Sequence, residues 1–110
     1  MEEKGEVLKA FVKQIRKIFG ASLRQIILYG SYARGDYRDN SDMDIMILTS
    51  LAESEIRELE NIVYDAAYEY LLSDGIVISV IIKNESHFNY WLGALPYYDN
   101  VKREGVVLAG

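Results

Sequence analysis

Gly30-Ser31 precedes Asp42 and Asp44 in this chain, with ten residues between the serine and the first aspartate. A glycine lets backbone approach a phosphate where a Cβ would block it, and a serine opening a short helix offers a hydroxyl and free N–H groups. Two aspartates separated by one residue project from the same face of a strand, their Cα atoms about 6.5 to 7 Å apart. Carboxylates that close bracket a hard cation such as Mg²⁺, which takes oxygens from one or two carboxylates and completes its shell with substrate phosphates. Together the four residues point to a nucleoside triphosphate on Mg²⁺ and to phosphoryl-transfer chemistry. Singly, each pair has an ordinary reading, a turn after a strand and a solvated strand end; their order and spacing favour the site. A Walker-type loop is excluded because no Gly-Lys-Ser/Thr follows, and Gly30 with Gly35 does not make a dinucleotide fingerprint.

The elements that must position these residues are legible as well. Gln25 to Tyr29 reads as a buried strand running into Gly30, and Asp42 to Leu48 as a second strand that begins with the acids and sends Met43 and Ile45 into the core. A third strand is expected over residues 76–82. It carries no acid, and alternation puts Ser79, Val77 and Ile81 on the face that looks into the pocket. Asp74 is the nearest acid, although Ser73-Asp74-Gly75 is more simply a helix-to-strand turn. Residues 3–19 read as a helix, with Val7, Phe11, Ile15 and Ile18 at helical spacing and Gly20 as the stop. Ser50 and Glu53 read as a capping box opening a long helix with Ile56, Leu59, Ile62, Val63, Ala66 and Tyr70 on one face, ended by Asp74-Gly75. From Asn84 the pattern is helical until Leu95-Pro96 breaks it. A short helix then runs to Gly105, and Val106 to Leu108 suits an edge strand. The order predicts an α+β domain built on a small mixed sheet with flanking helices.

Composition bounds the partners. The 110 residues, half of them apolar, suit one domain over 1–110 with a real core. No run of 18 apolar residues occurs and Met1-Glu2-Glu3-Lys4 lacks a secretory apolar region, so a soluble, cytoplasmic protein away from membranes is expected. The absence of cysteine suits a reducing compartment and excludes a thiolate metal site, and His87 alone cannot build a zinc site. A net charge of −5 argues against nucleic acid as partner. Nine tyrosines and one tryptophan are more aromatic surface than a small core needs. His87, Phe88, Tyr90, Trp91, Tyr97 and Tyr98 concentrate it near the carboxyl end, on helices expected to lie outside the nucleotide pocket. An interface and a cap over the open side of the sheet both account for that cluster.

Gly30-Ser31, ten residues and Asp42-Met43-Asp44, flanked by Tyr32-Ala33-Arg34-Gly35 and followed by Ile45, resembles the signature of the DNA polymerase β-like nucleotidyltransferase superfamily. The short length is similar to its minimal nucleotidyltransferase branch, the proteins usually found as partners of HEPN-type ribonuclease toxins. The resemblance implies a palm-like fold in which Gly30 and Ser31 bind ATP, Asp42 and Asp44 bind Mg²⁺ as the catalytic pair, and Arg34 lies near the nucleotide. It also implies transfer of AMP from ATP to an acceptor hydroxyl, a tyrosine of a HEPN toxin, which would make this chain the antitoxin. Homo- and hetero-oligomers both stay open. The family places a third carboxylate on the next strand, where this sequence has none. An impaired enzyme that neutralises its partner by binding is therefore the alternative, and a small-molecule acceptor such as an aminoglycoside is a further variant.

Overall fold

Stretches rich in Ile, Leu, Val and Met supply the centre of a four-stranded sheet. The computed structural model describes residues 2–38 and 40–110; Met1 of the amino-terminal run and Asp39 of the motif segment lie outside the described residues. Strands β1 (Leu23–Tyr29), β2 (Met43–Thr49), β3 (Ile78–Asn84) and β4 (Val106–Ala109) lie in the order β3-β2-β1-β4. β2 pairs antiparallel with β1 and parallel with β3, while β4 closes the other side antiparallel to β1. β2 is central, and Met43 and Ile45 to Thr49 are all buried, as a strand covered on both faces must be.

Alternation sorts the side chains into two cores. Ile26, Leu28, Met43, Ile45, Ile47, Ile78 and Ile82 face helices α1 (Glu2–Phe19) and α3 (Glu53–Asp74), which contribute Val7, Phe11, Ile15, Ile56, Val63 and Ala67. Ile27, Met46 and Leu48 point the other way, against Phe88 of α4 (Glu85–Trp91) and Tyr98 and Val101 of α5 (Pro96–Glu104). The expected α+β architecture on a mixed sheet is present. Among the described residues no helix is long and apolar enough to cross a membrane.

Three local expectations are corrected. α3 opens at Glu53 with Ala52 as its cap, and the Ala52 N–H donates to the Glu55 carboxylate at 3.0 Å, so Glu55 is the residue that reaches back and Ser50 caps nothing. The helix starts later than expected because the chain bends at Ser50 and Leu51, where the Thr49 hydroxyl donates to the Ser22 carbonyl and accepts from the Leu51 N–H, holding the exit of β2 in place. Ile62 is 53% exposed, whereas Val63 is fully buried. One residue is a turn of about 100°, enough to carry a side chain off the buried stripe. β3 begins at Ile78 rather than at residue 76, after Gly75 closes α3 with a left-handed φ of 69°.

Candidate active site

β1 delivers the chain to Gly30, and the turn there depends on glycine twice over. Its φ is +75°, and a Cβ at this position would collide with the Asp44 carboxylate. Gly30 and the Asp44 carboxylate are therefore packed directly against each other. Ser31 opens the one-turn helix α2 (Ser31–Arg34), closed by the Gly35 N–H on the Ser31 carbonyl at 2.9 Å. Tyr32 anchors that turn, buried, stacked on Tyr37 with ring centroids 4.5 Å apart, and receiving a hydrogen bond from the Lys4 ammonium of α1.

Asp44 is the second residue of β2, in register with Tyr29 on one side and Ser79 on the other. All three share the sheet face that carries α4 and α5. Asp42 is exposed just ahead of β2, which starts one residue later than expected. Burial and then the nearby Asp42 charge push the Asp44 carboxyl above the usual carboxylate range, and the Arg34 charge opposes them. Asp42, Asp44 and Arg34 thus form one electrostatic neighbourhood beside Gly30. Arg34 is not idle in it: its guanidinium meets Asp36 at 3.3 Å and Glu104 of α5 at 3.2 Å. These hydrogen bonds, Glu104 first, hold its pKa above the usual arginine value.

The donor set suits a hard cation. Among the described residues no group of three or more His, Cys, Asp or Glu is arranged to hold a metal. Mg²⁺ on Asp42 and Asp44 would then draw further oxygens from phosphate, as it commonly does.

Two tyrosines border the site that sequence reasoning missed or misplaced. Tyr29 and Tyr97 share a hydroxyl-to-hydroxyl hydrogen bond of 2.5 Å, with rings edge to face. Burial pushes both hydroxyls up, most strongly Tyr29, and the Asp44 charge adds to the rise in each. Tyr97 was expected outside the pocket, but Pro96 starts α5 so that its first turn lies over the end of β1. For Tyr29 the adjoining Gly30 was a usable signal; Tyr97 has no local one. The rest of the aromatic cluster divides. Tyr98 and Phe88 are core, whereas Tyr90 and Trp91 are exposed.

Asp74 takes no part. It accepts from the Ser73 hydroxyl at 2.8 Å and acts on Tyr70, which packs edge-on against Phe11 across the opposite face of the sheet. The register residue beside Asp44 on β3 is Ser79, so the strand carries a hydroxyl where a third carboxylate would be sought.

Comparison with known proteins identifies the family and the fold. Residues 8–107 match the family described as Nucleotidyltransferase domain. A Methanocaldococcus jannaschii protein provisionally named protein adenylyltransferase is 36% identical over 107 residues, covering 97% of each chain. A Thermococcus cleftensis protein named protein adenylyltransferase MntA is 40% identical over 47 residues, 43% of this chain and 46% of its own. Among solved structures, a Sulfolobus solfataricus protein described provisionally as a nucleotidyltransferase superposes with a TM-score of 0.64 at 23% identity, over 93% of this chain and 76% of that one. A toxin-antitoxin structure with AMP-PNP gives 0.58 at 19% identity, over 92% and 72%. Both structural likenesses show the fold.

Proposed function

The chain belongs to the nucleotidyltransferase domain family, and from that premise we propose that it transfers AMP from ATP to a hydroxyl of a protein acceptor, a tyrosine of a cognate HEPN-type toxin. The observation that carries this reading is the Asp44 carboxylate packed on Gly30, with Asp42 and Arg34 as its charged neighbours. The Gly30-Ser31 turn receives the phosphates, and glycine leaves the room they need. Asp42 and Asp44 hold the cation. Mg²⁺ held by these two carboxylates would supply charge neutralisation to the triphosphate. Arg34 adds positive charge on the open side once phosphate oxygens compete with Asp36 and Glu104 for it. The acceptor hydroxyl loses its proton to solvent, its oxygen bonds to the α-phosphorus as the bond to the α–β bridging oxygen breaks, and pyrophosphate leaves with that electron pair. The relatives named as protein adenylyltransferases support a protein as acceptor, and the toxin-antitoxin fold neighbours support a toxin.

Ser79 in register with Asp44 favours a second reading, in which the chain binds nucleotide and silences its partner by occupancy. Incubation with α-labelled ATP, Mg²⁺ and the protein encoded beside this chain separates the two. Transfer predicts that a partner tyrosine gains the mass of AMP, and that Asp42→Asn and Asp44→Asn abolish the gain. A tight complex whose mass never changes would sink transfer and leave sequestration.

A further inference from the structure

Two tyrosine hydroxyls at the mouth of the site have no part in the transfer described above. Tyr29 faces Asp44 across β1 and β2, on the same side of the sheet, at the roughly 5 Å Cα spacing of antiparallel neighbours. Tyr97, in the first turn of α5, shares a hydrogen bond of 2.5 Å with the Tyr29 hydroxyl, and the bond is open to solvent. Glu104, which meets Arg34, lies two turns further along α5 and so on the same side of the helix as Tyr97. α5 therefore runs along the site, touching it with Tyr97 at one end and Glu104 at the other. The remaining tyrosines are placed elsewhere. Those of α3 belong to the opposite face of the sheet, Tyr90 is exposed on α4, Tyr98 meets His87, and Tyr32 and Tyr37 stack on each other.

The two hydroxyls are not equivalent. Burial raises the pKa of both; with Tyr29 as donor, their hydrogen bond opposes that rise at Tyr97 and adds to it at Tyr29. Tyr97 is thus the one of the pair that gives up its proton more readily.

We propose that Tyr97 is an acceptor within its own chain: while no protein acceptor occupies the site, AMP passes from ATP to the Tyr97 hydroxyl, which Tyr29 positions. The Tyr97 proton goes to solvent, its oxygen bonds to the α-phosphorus as the bond to the α–β bridging oxygen breaks, and pyrophosphate leaves with that electron pair. Tyr97 offers the same phenol as the proposed partner tyrosine, already tethered on α5 beside Asp44, so no encounter has to be paid for in orientation. An adenylylated Tyr97 fills the mouth of the site, so the same modification blocks transfer to the partner. This inference rests on the nucleotide reading above.

Incubation of the chain alone with α-labelled ATP and Mg²⁺ tests it. The chain should gain the mass of AMP, peptide mapping should place the label on Tyr97, and the rate per chain should not change on dilution. Tyr90 and Tyr68, 77% and 56% exposed, are more open to solvent than Tyr97. Label on them instead, or no label, would overturn the proposal. Tyr97→Phe should abolish the gain. Tyr29→Phe should slow it several-fold and move its pH–rate profile to higher pH, because the donor that eases loss of the Tyr97 proton is gone; an unmoved profile would overturn the role given to Tyr29. A further measurement needs no turnover: α,β-methylene-ATP with Mg²⁺ should shield Tyr97, and not Tyr90, from nitration by tetranitromethane. Nitration of Tyr97 unaffected by the nucleotide would place it away from the site and overturn the proposal. A chain that labels Tyr97 yet leaves its partner unlabelled would count against the toxin as acceptor and leave this inference standing, whereas a labelled partner beside an unlabelled chain would do the reverse.

Discussion

The two faces of the sheet use the same alternation for different ends. Toward α1 and α3, buried apolar side chains run the length of the strands, from Leu28, Met43 and Ile78 at one end to Ile26, Ile47 and Ile82 at the other. Toward α4 and α5 the apolar core holds only Ile27, Met46 and Leu48 with their helix partners, and it gives way to Tyr29, Asp44 and Ser79. One face spends all its surface on packing. The other stops packing one residue pair short, and polar groups occupy the gap. On the function proposed above, stability and chemistry are separated across a single sheet thickness, so substitutions on the two faces should produce different kinds of loss.

The largest expected effect lies on the packing face. Phe11 is fully buried, and Phe11→Ala should lower unfolding free energy by about 3 to 5 kcal/mol in denaturant titration. AMP transfer per folded molecule should survive; a proportionate loss of specific activity would erase the division between faces.

Asp44→Asn should do the reverse, lowering transfer by roughly a hundred- to a thousandfold, on the order of 3 to 4 kcal/mol. Its melting temperature should match or exceed the parent's near neutral pH. The sign follows from a carboxyl whose folded-state pKa is raised by burial and by Asp42. The charged form then opposes folding at pH above that pKa, and the penalty fades as pH falls through it. Any stability advantage of Asp44→Asn should fade in the same direction. An advantage that grew on acidification would contradict the burial of this group.

Trp91 lies on the outer surface of α4, touching His87 and Tyr90. If it anchors the protein acceptor, Trp91→Ala should cost about 2 kcal/mol of partner affinity by calorimetry while MgATP affinity and melting temperature hold. An equal loss of stability would assign it to the core with Phe88 and Tyr98.

The smallest effect is expected where the two regions touch. Glu104→Gln removes one arm of the Arg34 pair on the surface, where solvent screens the charges, so the melting temperature should hardly move. The substitution should tighten MgATP binding modestly by releasing the guanidinium. Weaker binding would mean that Glu104 positions Arg34 for the nucleotide instead of competing for it.

Much of this was legible along the chain. Gly30, Ser31, Asp42 and Asp44 meet because a strand, a one-turn helix and a second antiparallel strand are connected by short segments, and short-range order suffices to bring them together. Alternation along Met43, Asp44 and Ile45 likewise told which side chain points where. The boundaries were less secure: Ala52 with Glu55 replaced Ser50 with Glu53 because Ser22, far away in sequence, holds Thr49.

Residue types and spacing by themselves determined the acidic pair, the glycine turn, the α+β order and the likeness to nucleotidyltransferases. Only the tertiary structure decided that Tyr97 and Glu104 of α5 border the site, that Asp74 lies on the wrong face, and that Ser79 is the neighbour of Asp44. The reason is the reach of periodicity. A period of 2 or 3.6 residues assigns faces within one element, whereas the partner of that face is chosen by how whole elements pack, through contacts such as Tyr29 with Tyr97, 68 residues apart, that no local pattern encodes.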